Sequence, residues 1–261
     1  MIILHKHAIG FGKRIKTVLV STAIAATAFA APLTPVVTEN ISAADTDNYA
    51  KLLQYSMYLY DANMCGSGVE SNCSLDWRGN CHTGDDCDYG FHDAGDHVKF
   101  GLPQGYSAST LGWGYYEFKD VYDELGQTAH LQKITDYFCA YFKECAQLSG
   151  DSVSRFCYQN GNGDEDHGYW GSPETQGSSR PSSWTSGGEC DIAAEYAASL
   201  ALNYINFGNS EDLTYAKALF NYANKNRQKS SLSAFYKSDG CEDDIAWAAG
   251  WLAIATKDTA M

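Results

Sequence analysis

Residues 91–101 read Phe91-His92-Asp93-Ala94-Gly95-Asp96-His97-Val98-Lys99-Phe100-Gly101. Two carboxylates three residues apart stand between two imidazoles, and Gly95 and Gly101 make the stretch a poor helix or strand, so it reads as a loop. Two aspartates aimed at one water can accept both of its protons and make its oxygen nucleophilic. Their mutual repulsion should raise one pKa toward the range of a general base. Two other readings fit the spacing equally: an Asx-turn in which the aspartates serve only local backbone N–H groups, and a metal site of His92, Asp93, Asp96 and His97.

The flanks separate these readings. Upstream stands Leu75-Asp76-Trp77-Arg78-Gly79, and downstream Leu102-Pro103-Gln104-Gly105-Tyr106-Ser107-Ala108-Ser109-Thr110-Leu111-Gly112-Trp113. Together with the aspartate loop this ordered set resembles glycoside hydrolase family 9, the endoglucanases and related cellulases, whose motifs read W-R-G-D, then D-A-G-D-H-V-K-F-G-x-P, then Y-S-x-T-x-L-x-W. The resemblance implies inverting hydrolysis of β-1,4-glucans such as cellulose, with Asp96 as the general base and Asp93 helping it to hold the water. The general acid in relatives is a glutamate near the C-terminal end of the catalytic domain. No segment after Met261 is present to supply it, and Glu174, Glu189, Glu195 and Glu242 fall in segments that align with other features.

Helical periodicity marks six segments, at 48–60, 107–122, 129–148, 191–207, 212–226 and 243–255, with no convincing strand. Between them, 61–106 and 149–188 are long, irregular and rich in Gly, Asp and Asn, the kind of loop that carries function. The class is all-α. The resemblance implies an (α/α)6 barrel of helical hairpins, of which six helices are about the first half.

Residues 1–44 carry Lys6, Lys13, Arg14 and Lys16, then an apolar run containing Ala28-Phe29-Ala30, with a second small-residue site near Ser42-Ala43-Ala44. That order reads as a secretory signal cleaved near 30 or 44, too short for a stable membrane span. Residues 45–261 then form the N-terminal part of a catalytic domain, and the chain reads as a truncated piece of a secreted enzyme. An accessory binding or dockerin module is compatible with the part not covered. Without the leader, 14 Lys+Arg face 31 Asp+Glu, a formal charge of −17 against −14 for all 261 residues. Such a surface repels nucleic acid and anionic membranes, and a neutral polysaccharide is indifferent to it. Solubility of a secreted protein explains the charge equally well.

Further motifs extend the resemblance. Asn162-Gly163-Asp164-Glu165-Asp166-His167-Gly168-Tyr169-Trp170 to Glu174 resembles G-D-x-D-H-x-x-W-x-x-P-E. Trp170 can stack on the apolar face of a pyranose ring, and His167 can bond its hydroxyls; Tyr106 is a further substrate contact. The alternative for Trp170 is a packing anchor. Arg180-Pro181 and the alanine-rich run from Asp191 read as structural, with Asp191 capping a helix. Glu211, Asp212 and Asp243 sit at two helix starts, where the resemblance implies a structural Ca2+; ordinary capping is the other reading. Cys65, Cys81, His82 and His92 make a tetrahedral zinc set, and some family members carry a similar arrangement associated with structural Zn2+. Cys73 and Cys87 crowd the same segment, so disulfides compete. The nine cysteines are odd in number, leaving at least one without a disulfide partner in this chain.

Three positions depart from the pattern: Phe91 where Trp or Tyr is usual, Asn80 where Asp follows W-R-G, and the segment at Phe235-Tyr236, which lacks a Trp. The last weakens one sugar subsite. Two further classes stay in view: a non-catalytic glucan-binding protein, and an exported metal-binding protein built on the Cys/His-rich loop.

Overall fold

The computed structural model describes residues 48–177, 180–230 and 235–258. The secretory leader expected over 1–44 lies outside the described residues. In chain order the elements are α1 (Asn48–Asn63), a single turn α2 (Val69–Asn72), β1 (Lys99–Phe100), α3 (Gly101–Glu124), α4 (Thr128–Cys145), β2 (Ala146–Ser149) and β3 (Ser152–Asn160). There follow α5 (Gly163–Gly168), a 3-10 turn (Pro173–Thr175), β4 (Ser182–Thr185), α6 (Cys190–Phe207), α7 (Ser210–Lys225) and α8 (Glu242–Thr256).

The six long helices are those the periodicity predicts, and α6 is their hub. Ala193, Ala194, Ala197, Ala198 and Ala201 are wholly buried, and side chains this small let α3, α7 and α8 approach α6 closely on different sides. Gly208, with φ 85°, ends the helix in the left-handed conformation that glycine adopts without cost. Asp191 is not its cap. Glu189 occupies the cap position, and Asp191 lies in the first turn, where its carboxylate accepts from the Ser230 backbone N–H at 3.0 Å and the Ser230 hydroxyl at 2.7 Å. A disulfide between Cys190 and Cys241 ties the start of α6 to that of α8.

Two differences from the sequence reading matter. α3 begins at Gly101, immediately after the aspartate loop, and not at 107. A small antiparallel sheet also exists, in which β1, β2 and β4 all pair with β3. Irregularities between Gln147 and Leu148 and between Cys157 and Gln159 interrupt the pairing, and each bulge resets the alternation by which a strand is recognised. The sheet runs beneath the aspartate loop, because β1 is Lys99 and Phe100 at the end of that loop. Among the described residues, no helix is long and apolar enough to cross a membrane.

Candidate active site

The aspartate loop is pinned at both ends by backbone pairing. Met64 bridges Phe91, the His92 N–H donates to the Asn63 carbonyl at 2.9 Å, and the Cys65 N–H donates to the Gly90 carbonyl at 2.9 Å. Phe91, one of the departures from the family pattern, is a core residue stacked on Phe138.

Asp96 is buried. Its Oδ1 accepts from the Val98 N–H at 3.2 Å, and its Oδ2 lies 3.2 Å from Nδ1 of His167. His167 stands on α5, a turn held by Asn162, whose side chain accepts from the N–H groups of Asp164 and Glu165 at 3.0 and 3.3 Å. One face of the imidazole stays open to solvent. Asp93 accepts from the Tyr236 hydroxyl through Oδ2, while its Oδ1 is buried with no hydrogen-bond partner among the described residues. Burial pushes the Asp93 carboxyl up to about 6; the Tyr236 hydroxyl opposes this, and the charge of Asp96 adds a smaller push. Mutual repulsion, the cause expected from spacing, is thus the lesser one.

Arg180, read from sequence as structural, holds the loop from behind. Its guanidinium donates to Asp85 at 2.8 Å, to Asp166 at 2.7 Å and to the His97 carbonyl at 2.8 Å. Lys99, fully buried, pairs with the same Asp85 at 2.9 Å. Arg78 of the Trp-Arg-Gly motif pairs with Glu174 at 2.8 Å and donates to the Met64 carbonyl at 2.9 Å. Burial alone would raise the Glu174 pKa, but donation from Arg78 and from backbone N–H groups outweighs it and sets the carboxyl at about 2. Glu174 is therefore a poor proton donor.

A cavity of about 720 Å3 beside the loop is lined by Trp77, Arg78, Ala94, Gly95, His97 and Glu174. Asp93 opens on a smaller one of about 130 Å3 with Tyr60, Phe91, Pro103 and Gln104. Tyr106 and Tyr236 share the wall of a third, of about 510 Å3. Trp170 is wholly exposed, so it is not a packing anchor, and Trp77 is 69% exposed at the lip of the 720 Å3 cavity. Tyr236 and Gln176 were not legible as site residues. The segment at 235–236 differs from the family pattern in its missing Trp, and Phe235 packs there against His167 and Phe100.

The four residues of the zinc set converge: ligand atoms of Cys65, Cys81, His82 and His92 lie within 4.8 Å of one another. Sγ of Cys65 is 3.5 Å from Nδ1 of His82, which is 3.3 Å from Nε2 of His92. His82 turns Nε2 to the Gln176 side-chain carbonyl at 3.0 Å, an outer hydrogen bond that leaves Nδ1 as the free donor to a metal. Hydrogen bonding with Cys65 outweighs burial and lowers the Cys81 thiol to about 7, and burial keeps His92 below the usual imidazole range. Cys65, Cys73, Cys81 and Cys87 form no disulfide. The Cys2His2 set therefore suits zinc.

The calcium triad does not converge. Lys143 pairs with Glu211 at 2.7 Å and Asp212 at 3.0 Å, and Asn203 donates to Asp212 at 2.8 Å. Asp243 instead stands at the start of α8, which the disulfide anchors to the opposite end of α6, a helix of 18 residues or about 27 Å. Helix-start acids at opposite ends of one helix cannot share an ion.

A sheltered pair of carboxylates on a loop between helical hairpins, with exposed tryptophans nearby, defines a class of site: two acids able to hold one water beside solvent-facing aromatic surfaces. The sequence pattern described as glycosyl hydrolase family 9 matches residues 49–261, and the chain belongs to that family. It is 34% identical over 236 residues to Endoglucanase 4 of Bacillus sp. (strain KSM-522), covering 81% of this chain and 36% of the relative. The solved catalytic domain of Clostridium thermocellum CelT superposes with a TM-score of 0.77 at 42% identity, over 80% of this chain and 52% of that one. The cellulase Cel9M of C. cellulolyticum gives 0.77 at 42% identity, over 81% and 52%. The fold is accordingly a partial (α/α)6 barrel, and the chain spans between about a third and a half of the length of these relatives.

Proposed function

We propose that residues 45–261 are the water-activating part of a secreted, inverting cellulase, an endoglucanase that cleaves β-1,4-glucosidic bonds. The observation that carries this reading is the state of Asp93: a buried Oδ1 with no hydrogen-bond partner among the described residues, on a carboxyl raised to about 6, three residues from a buried Asp96. A buried acceptor needs a partner, and a water bonded there and to Asp96 would donate one hydrogen bond to each carboxylate, lose one proton to Asp96 as its oxygen attacks, and keep the other in the new hydroxyl. Asp96 is the general base, and His167 orients it. Asp93 takes the second hydrogen bond and makes the water nucleophilic once ionised.

The sugar rests on Trp170 and Trp77, whose exposed faces suit a pyranose ring, with the open edge of His167 and the hydroxyl of Tyr106 meeting its polar groups. A glutamate outside residues 45–261 is the general acid that protonates the leaving oxygen. Zn2+ held by Cys65, Cys81, His82 and His92 braces the loop next to Asp93 and takes no part in the reaction. The acidic surface repels nucleic acid.

The test is made in a chain carrying the complete ring. Asp96→Asn should reduce hydrolysis of soluble cellulose by about 10²–10⁴-fold with cello-oligosaccharide binding retained, and the wild type should release inverted-anomer product by NMR. An unchanged rate in Asp96→Asn, or retained anomeric configuration, rejects the reading.

A further inference from the structure

Away from the aspartates, the described residues hold a second convergence of metal-capable side chains: Cys87, Cys145 and Cys157, each wholly buried, with Sγ atoms within 4.8 Å of one another. They come from three different elements. Cys87 lies in the loop that leads to Asp93, Cys145 is the last residue of α4, and Cys157 is on β3 opposite Trp184 of β4. None is in a disulfide. We propose that these three cysteines form a thiolate site for a soft d10 metal ion, separate from the Cys2His2 set.

Geometry supports this. Three sulfurs no more than 4.8 Å apart leave a point within about 2.8 Å of all of them, against the roughly 2.3 Å of a metal–thiolate bond. Shifts of a few tenths of an ångström would seat an ion.

The surroundings supply what thiolates need. Nδ2 of Asn160 donates toward Sγ of Cys157 at 3.5 Å and is itself fixed by the Tyr141 hydroxyl at 3.0 Å. Lys99 donates to the Cys87 carbonyl at 2.6 Å and brings a buried positive charge against the negative excess of three thiolates around one ion. Such outer N–H groups and counter-charges accompany ligating sulfur.

The donor count separates the two sites. Structural zinc takes four ligands, which the Cys2His2 set offers. Three sulfurs in a fully buried setting suit a three-coordinate soft ion, for which monovalent copper is the better match. The site would join the segment leading to the aspartate loop to α4 and β3. It would also account for three of the cysteines that no disulfide uses.

The experiment uses the 261-residue chain, reduced and handled without oxygen, loaded with Zn2+ or with Cu(I), and desalted for metal analysis. The expected result is a second metal equivalent, favoured by Cu(I), that Cys145→Ser and Cys157→Ser each abolish and that Cys65→Ser/Cys81→Ser leaves in place. Because a core substitution can unfold the chain, X-ray absorption on the Cu(I)-loaded Cys65→Ser/Cys81→Ser protein provides a measurement with the trio intact. A shell of three sulfurs supports the site, and a shell containing nitrogen or oxygen overturns it. Metal content unaltered in a folded Cys145→Ser variant overturns it too, as does a disulfide joining two of the three in peptide maps of the protein isolated in air.

Discussion

Asp93 sets function against stability at a single carboxyl. A group whose pKa rises from about 4 in the unfolded chain to about 6 in the fold binds its proton more tightly when folded, so its presence weakens the fold as pH climbs through that window. Above pH 6 that cost is complete. Asp93→Asn should therefore be more stable than the wild type by about 1–3 kcal/mol at pH 7.5 and indistinguishable from it below about pH 4, a difference read from urea unfolding at the two pH values. The same shift places the acid limb of hydrolysis near pH 6 in a chain with the complete ring. Tyr236→Phe removes a hydrogen bond that favours the charged form, so the limb should move upward; a limb that stays or falls contradicts the role of Tyr236. Asp85 presents the opposite case, a carboxylate whose two buried cationic partners, Lys99 and Arg180, hold it below the usual carboxylate range despite burial. Asp85→Asn leaves both cations without their shared charge and should cost about 3–5 kcal/mol in chemical denaturation.

Among the elements, α3 packs directly on α6 through its glycines. A Cβ added at Gly105 would lie 2.6 Å from that of Glu195 on α6, whereas one added at Gly114, farther along α3, meets only the Tyr122 hydroxyl at 3.9 Å. Gly105→Ala should thus destabilise by about 1–3 kcal/mol through overpacking. Gly114→Ala should stabilise by up to about 1 kcal/mol through helix propensity, and thermal unfolding of the pair tests the contrast. The same contact explains what was legible in the chain and what was not. The long helices declare themselves by periodic apolar residues, and the loop by its motif. The first turn of α3 is Gly101-Leu102-Pro103-Gln104-Gly105, which reads as a breaker because its glycines are there for close approach and its proline occupies a position where no helical N–H is needed. Strand β3 hides for another reason, since its bulges and mixed burial remove the alternation. Of the site, the aspartates and the Cys2His2 set could be read from residue type and spacing. Tyr236, Arg180 and Gln176 could not, because each reaches the loop from a segment 79 or more residues away whose local pattern carries no chemistry.

For the molecule as a whole, the informative surface is on α1. Tyr49, Leu52, Tyr55 and Leu59 recur at helical spacing and are each 60–63% exposed, while Met57, Leu53 and Tyr60 on its other side meet the core. A helix apolar on both sides is one made to be covered on both sides. Exposed Trp113 and Tyr116 on α3 and Ile254 on α8 extend the same property to other helices. In a complete ring these faces would pack on further hairpins, each buried large side chain contributing about 1.5–3 kcal/mol. The 261-residue chain on its own should consequently self-associate at micromolar concentration and bind an apolar dye such as ANS. Leu52→Glu combined with Leu59→Lys should suppress both effects without changing the far-ultraviolet circular dichroism, because neither side chain supports the core. In a chain carrying the full ring the same pair should lower the melting temperature, since there the two leucines would be interior. Sedimentation and thermal unfolding measured on both chains decide the matter: suppression in the short chain with no loss in the long one would mean that this face is surface in both, and the ring closes elsewhere.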